Sequence, residues 1–190
     1  ATLASAFIIS NYVDKNASLI SFQTVSGRLG VTCSDGLYEL DFPARPAVPI
    51  AVTPEMSLAI GAPVLEAYKA RDYMFVVESD TVVRDLVPDF AVMRLFEDCL
   101  GVIVTAEAAS GSQADFVSRF FVPIAGIPED AVTGSSHCTL IPFWSERLNK
   151  QKMLARQLSL RGGELHCENR GARVLIGGGA VLYMQGEILL

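Results

Sequence analysis

Two adjacent carboxylates, Glu129 and Asp130, are followed by Thr133-Gly134-Ser135-Ser136 and then by His137. Carboxylates and imidazoles move protons, while hydroxyls and exposed backbone amides hold anions. Both sets of groups fall within one short stretch. Beyond it, apolar residues at Leu140, Ile141, Phe143, Trp144 and Leu148 are spaced to give a helix one buried face. A helix starting at this turn has N–H groups without intrahelical partners and about +0.5 charge of macrodipole at its first turn. Gly134 lets backbone approach a ligand, and the hydroxyls of Thr133, Ser135 and Ser136 add donors. The product is an anion cradle with a carboxylate beside it. An ordinary cap, with Asp or Ser closing the helix, has the same spacing.

The elements that must position this turn are legible on both sides of it. An apolar, strand-like run over residues 116–122 leads through Pro123 and Gly126 to the acids, and the helix covers about residues 134–149. Further upstream, residues 1–13 read as an apolar helix buried on most sides. Residues 18–25, 27–34 and 36–42 read as strands, the first two joined at Ser26-Gly27 and the last with period-two alternation. Pro43, Pro46 and Pro49 mark a linker. A short helix over residues 54–60 opens with Thr53 as cap and proline in its first turn. Residues 73–78 and 100–107 read as strands. The segment 80–96 is split by Pro88 into two helical pieces, and three or four glycine-rich strands finish the chain.

Composition narrows the function. Apolar residues make up 51% of the chain and mean hydropathy is +0.36, enough for a sizeable core. Fifteen basic against twenty-one acidic residues, with no basic cluster, argue against nucleic acid as partner. No apolar run approaches the ~20 residues of a membrane span. The four cysteines are scattered without a C-x-x-C pair, as suits reduced thiols in a cytoplasmic protein. Two histidines without paired ligand spacing give no expectation of a metal. The first segment begins at Ala1 without a helix start signal, so the chain is read as the downstream part of a longer polypeptide. A homodimer, or association with the upstream segment, is expected to cover the apolar first helix.

The segment around the turn resembles the signature of the phenazine-biosynthesis PhzF-like family. The residues that carry the likeness are Ser118-Arg119-Phe120-Phe121-Val122-Pro123, Gly126-Ile127-Pro128-Glu129-Asp130 and Thr133-Gly134-Ser135, with His137, Leu140 and Phe143-Trp144 following in step. Ala131 and Ser136 stand where the family usually has proline and alanine. Residues 1–6 resemble the continuation of a G-H-A-T-L-A motif, and residues 157–165 resemble Q-x-S-x-R-G-G-x-L. The resemblance implies an α+β, diaminopimelate-epimerase-like fold. Its two pseudo-symmetric lobes each curl a mostly antiparallel sheet around a central helix. Residues 1–48 would be the remainder of the N-terminal lobe, with a last strand at about 184–190 returning to it, and residues 49–183 the C-terminal lobe.

The resemblance also implies a reaction: isomerisation of a small, cyclic carboxylic acid by acid/base hydrogen transfer, with no metal and no organic cofactor. Asp130 would be the catalytic carboxylate, and Gly134, Ser135 and Thr133 would bind the substrate carboxylate. The family's main acid/base glutamate and a Gly-His pair would lie before residue 1. In the epimerase branch the second of two proton-shuttling cysteines would fall at Thr133, so two-thiol chemistry is not expected, and Cys138 reads as core. An amino-acid racemase and a non-catalytic binding protein are the alternatives. His137 reads as packed or capping, Glu129 as solvent-facing, Arg119 as structural, and Phe143 and Trp144 as core.

Overall fold

The computed structural model describes residues 1–24, 27–34 and 36–187. Helix α1 (Thr2–Ile8) runs into a π-helical turn (Ile9–Val13). Three antiparallel strands follow, β1 (Leu19–Thr24), β2 (Gly27–Ser34) and β3 (Leu37–Pro43). Their alternation puts Ile20, Leu29, Val31, Tyr38 and Leu40 on the inside. Of α1 only Ala6 is buried, which corrects the expectation of a helix buried on most sides. Its neighbours are β2 and β3, which cover one face of it. Ser26, half of the expected β1–β2 junction, lies outside the described residues.

Next come β4 (Val48–Ile50), α2 (Pro54–Ile60), β5 (Glu66–Lys69) and β6 (Tyr73–Val76). Thr53 stands at the N-cap of α2 as expected, but its side chain makes no capping bond to the helix. Two short helices, α3 (Asp80–Asp85) and α4 (Phe90–Met93), flank Pro88 and are capped by the side chains of Ser79 and Asp89. Then follow β7 (Val102–Glu107), β8 (Phe116–Phe121), the two-residue β9 (Glu129–Asp130), and α5 (Gly134–Leu148). The described chain closes with β10 (Lys152–Gln157), β11 (Gly163–Asn169) and β12 (Arg173–Gly179). Residues 180–187 have no regular structure, and residues 188–190, where the rest of the expected last strand falls, lie outside the described residues.

Among the described residues these strands form a single sheet in the order β1-β2-β3-β12-β11-β10-β8-β7-β6-β5-β4, with β9 on β8. Only β6–β7 and β8–β10 pair in parallel. The link between the first three strands and the rest is the antiparallel pair β3–β12. In the middle of the sheet both faces are buried. Phe75, Val104, Val117 and Phe121 pack against α2, α3 and α4, while Met74, Ile103, Phe116 and Phe120 pack towards α5. That two-sided burial is why these runs read as continuously apolar rather than alternating.

Helix α5 carries the site and is fixed from several directions. Trp144 is 1% exposed, stacks on Phe116 at 5.6 Å between ring centres, and donates from Nε1 to Thr105 Oγ1 at 2.9 Å. Pro142 sits inside the helix and has no N–H to give to the carbonyl of Cys138. The backbone N–H of Arg45, in the loop after β3, donates to that carbonyl instead, at 2.8 Å. The helix stops at Asn149, in the left-handed conformation at φ 52°.

Candidate carboxylate and acid–base site

Pairing of β9 with β8 sets Asp130 opposite Phe120 and Glu129 opposite Phe121. This fixes the two acids in different roles. Arg119, two residues along β8 from Phe121 and on the same side of the strand, grips Glu129 with both arms, Nε to Oε1 at 2.8 Å and Nη2 to Oε2 at 2.9 Å. Its remaining nitrogen, Nη1, donates to the carbonyls of Val83, Arg84 and Leu86 at the end of α3. Glu129 is therefore an ion-pair partner and not the solvent-facing group expected, because the strand register sets it beside a guanidinium. Arg119 is structural, as read.

Asp130 is half-buried, and its Oδ2 accepts a hydrogen bond from Thr133 Oγ1 at 2.6 Å. Thr133 is itself 5% exposed and oriented from below by Gln157, the last residue of β10. Gln157 is buried. Its Oε1 accepts from the Thr133 N–H at 2.8 Å, and its Nε2 donates to Asp130 O at 2.8 Å and to Thr133 Oγ1 at 3.1 Å. A hydroxyl that accepts from an amide has its own proton free to donate, so the chain Gln157–Thr133–Asp130 runs in one direction. Ser159 Oγ donates to Ala131 O at 2.6 Å, and a Cβ at Gly163 would stand 2.5 Å from Val132 Cγ2. The loop between Asp130 and α5 thus lies tightly on the β10–β11 connection.

Because the Thr133 side chain is turned to Asp130, it does not cap α5. The first N–H groups of the helix, at Gly134 and Ser135, start without a side-chain acceptor from the N-cap residue. Both residues are half-buried. Ser135 Oγ accepts from Arg71 Nη2 at 3.1 Å. The four residues expected from sequence, Asp130, Thr133, Gly134 and Ser135, are in this way brought to one turn. Sequence reasoning missed the two groups that hold them. Gln157 was seen only as part of a motif. Arg71 stands in the turn between β5 and β6, where an Arg-Asp pair signals nothing by itself.

His137 is fully buried, with Nδ1 2.7 Å from Thr133 O. We assign the proton to Nδ1, since the carbonyl can only accept. The ring anchors the turn, and among the described residues Nε2 has no partner. Burial pushes its pKa down from 6.5 to about 4. The unfolded chain then takes up a proton between about pH 6.5 and pH 4 that the folded chain refuses. The stabilisation is complete above pH 6.5 and is lost as pH falls towards 4, by on the order of 3 kcal/mol. Thermal melting from pH 7 to pH 4.5 should fall more steeply for the natural sequence than for His137→Asn; equal slopes would refute the lowered pKa of the buried imidazole.

Cys138 is buried in the same helix turn with its thiol pushed up by burial, which disfavours a thiolate. Among the described residues no group of three or more His, Cys, Asp or Glu side chains is placed to hold a metal ion, and no helix is long and apolar enough to cross a membrane.

The chain is thus mixed α+β with one large sheet, and a carboxylate stands beside the start of its long helix α5. A family model described as phenazine biosynthesis-like protein matches residues 1–186. The chain belongs to that family. It is 44% identical over 191 residues to an uncharacterized isomerase of Pseudomonas aeruginosa, covering 100% of this chain and 72% of that protein. It is 34% identical over 207 residues to a phenazine biosynthesis-like domain-containing protein of Homo sapiens, covering 99% of this chain and 71% of that one. A PhzF family structure from Enterococcus faecalis superposes with a TM-score of 0.94 at 43% identity, over 100% of this chain and 72% of that one. A predicted epimerase from Pseudomonas aeruginosa shares the fold, with a TM-score of 0.69 at 13% identity, over 99% of this chain and 72% of that one.

Proposed function

We propose that the protein isomerises a small, cyclic carboxylic acid by acid/base hydrogen transfer in the cleft between two lobes, with Asp130 as a proton-transferring carboxylate. The substrate carboxylate would sit on the N–H groups of Gly134 and Ser135 and on the Ser135 hydroxyl, with Thr133 setting the direction of Asp130. The observation that carries this is the use of the Thr133 hydroxyl. It is turned to Asp130, which orients the carboxylate and leaves the start of α5 without its ordinary cap. Charge-assisted bonds of this kind contribute about 1.5–3 kcal/mol each.

The proton removed from one carbon must be returned at another. The family resemblance assigns the second acid/base group to a glutamate outside residues 1–190. No metal or organic cofactor is required for such a step. The naming of relatives as isomerases supports the reaction class. Thiol-based epimerisation has no support from Cys138, which is buried within the helix. We further propose a cytoplasmic homodimer, in which a partner would cover exposed apolar residues such as Val13 and Leu19.

The test is to incubate the natural-length protein with small-molecule extract of its source cell and follow carboxylic acids by chromatography and mass spectrometry. The expected product has unchanged mass and a new retention time. A product of altered mass, or no conversion by folded protein, would overturn the proposal.

A further inference from the structure

Arg71 is anchored more firmly than a residue in a strand-to-strand turn needs to be. Its Nε and Nη2 donate to Asp72 Oδ2 at 3.0 and 2.6 Å, and Nη2 also reaches Ser135 Oγ at 3.1 Å, across 64 residues of sequence. The Asp72 side chain is only 3% exposed, while that of Arg71 is 36% exposed. The other Asp72 oxygen, Oδ1, accepts from the N–H groups of Leu100 and Gly101, both at 3.2 Å. A Cβ at Gly101 would collide with the carbonyl of Phe121, so this close approach needs glycine. A buried carboxylate held by two backbone amides thus fixes a guanidinium that ends at the proposed carboxylate site.

An arginine only donates, so Ser135 Oγ must be the acceptor in their bond, and its own hydrogen is directed elsewhere. We infer that Arg71 is the positioning residue that gives this site its preference for a carboxylate over the matching neutral amide, by holding the Ser135 hydroxyl as a donor towards the ligand. The inference rests on the carboxylate-binding role proposed above. The Arg71–Asp72 pair is neutral as a unit, so the selection comes from donor direction more than from bare charge. The positive end of the α5 macrodipole adds to it. A substrate with its carboxylate on this turn therefore meets oriented donors from the helix, from Ser135 and, behind Ser135, from Arg71.

The experiment uses benzoate and benzamide as probes on the natural-length protein, with affinities from titration calorimetry and the site read from the Gly134 and Ser135 amide resonances. Arg71→Ala is expected to weaken benzoate about 10-fold and leave benzamide unchanged. Ser135→Ala should likewise weaken benzoate more than benzamide, and the double variant should be little worse than either for benzoate, since the two groups act as one unit. Arg71→Lys retains a charge but lacks the fork to hold Asp72 and Ser135 together, so it should not restore benzoate binding. It also guards against misfolding of the alanine variant through an unpaired Asp72. Benzoate bound on Gly134 and Ser135 with unchanged affinity in both Arg71 variants would overturn the inference and leave the carboxylate site standing. Multiplicative losses in the double variant would also overturn it. Absence of benzoate from these resonances in the natural sequence would overturn both.

Discussion

Asp130→Asn is expected to lower turnover by about 10²–10⁴-fold, the range a positioned acid or base contributes, with almost no change in thermal stability. The substitution isolates proton transfer from shape. An asparagine oxygen can still accept from Thr133 Oγ1, and the backbone carbonyl of residue 130 can still accept from Gln157 Nε2. The pairing of β9 with β8 involves backbone only and is untouched. What is lost is a group able to take up or release a proton. Steady-state kinetics and a melting curve on the same preparation decide the matter. A variant retaining more than about a tenth of natural turnover would remove Asp130 from the chemistry.

Trp144→Ala is expected to cost about 3–5 kcal/mol, a large part of the 5–15 kcal/mol by which domains are usually stable. The indole is 1% exposed and lies flat on Phe116, with Phe143 edge-on at 5.2 Å. Its removal leaves a cavity between α5 and the centre of the sheet, which neighbours clamped on both faces fill poorly. Trp144→Phe separates the hydrogen bond from the volume. Thr105 Oγ1 still donates to Val117 O, so only the indole bond is lost, at about 0.5–1.5 kcal/mol plus the smaller ring. Urea unfolding followed by circular dichroism measures both, since the chain has one tryptophan and the variants lack its fluorescence. A Trp144→Ala midpoint close to that of the natural sequence would mean the core is not organised around α5.

Much of this arrangement was legible in the residues. The strand, acidic loop and helix around the turn follow from an apolar run, two punctuating residues and helical spacing, and they fall where expected. So do α2, opened by Pro54, and the two short helices α3 and α4 on either side of Pro88; their caps, Ser79 and Asp89, emerge only in the structure. The strands β4 and β5 were not legible. They are three and four residues long and have no alternation, because their place at the sheet's far end is set by pairing with partners distant in sequence. Helix α1 misled for a related reason. An apolar composition reports what a helix could bury, not which neighbours reach it. At the site, local spacing offered a cradle at Thr133, Gly134 and Ser135 with a carboxylate beside it, and the family resemblance singled out Asp130. The fate of Glu129, the support from Gln157 and the reach of Arg71 all depend on strand register and long-range contacts, which one-dimensional spacing does not carry.

The most direct measurement is isomerisation in D2O, with the product examined by mass spectrometry. If a carboxylate at Asp130 moves the proton, solvent deuterium enters the product, adding one mass unit, and Asp130→Asn slows product formation and labelling to the same extent. Product formed over many turnovers without solvent deuterium, or labelling that persists undiminished in Asp130→Asn, would contradict acid/base transfer at this turn.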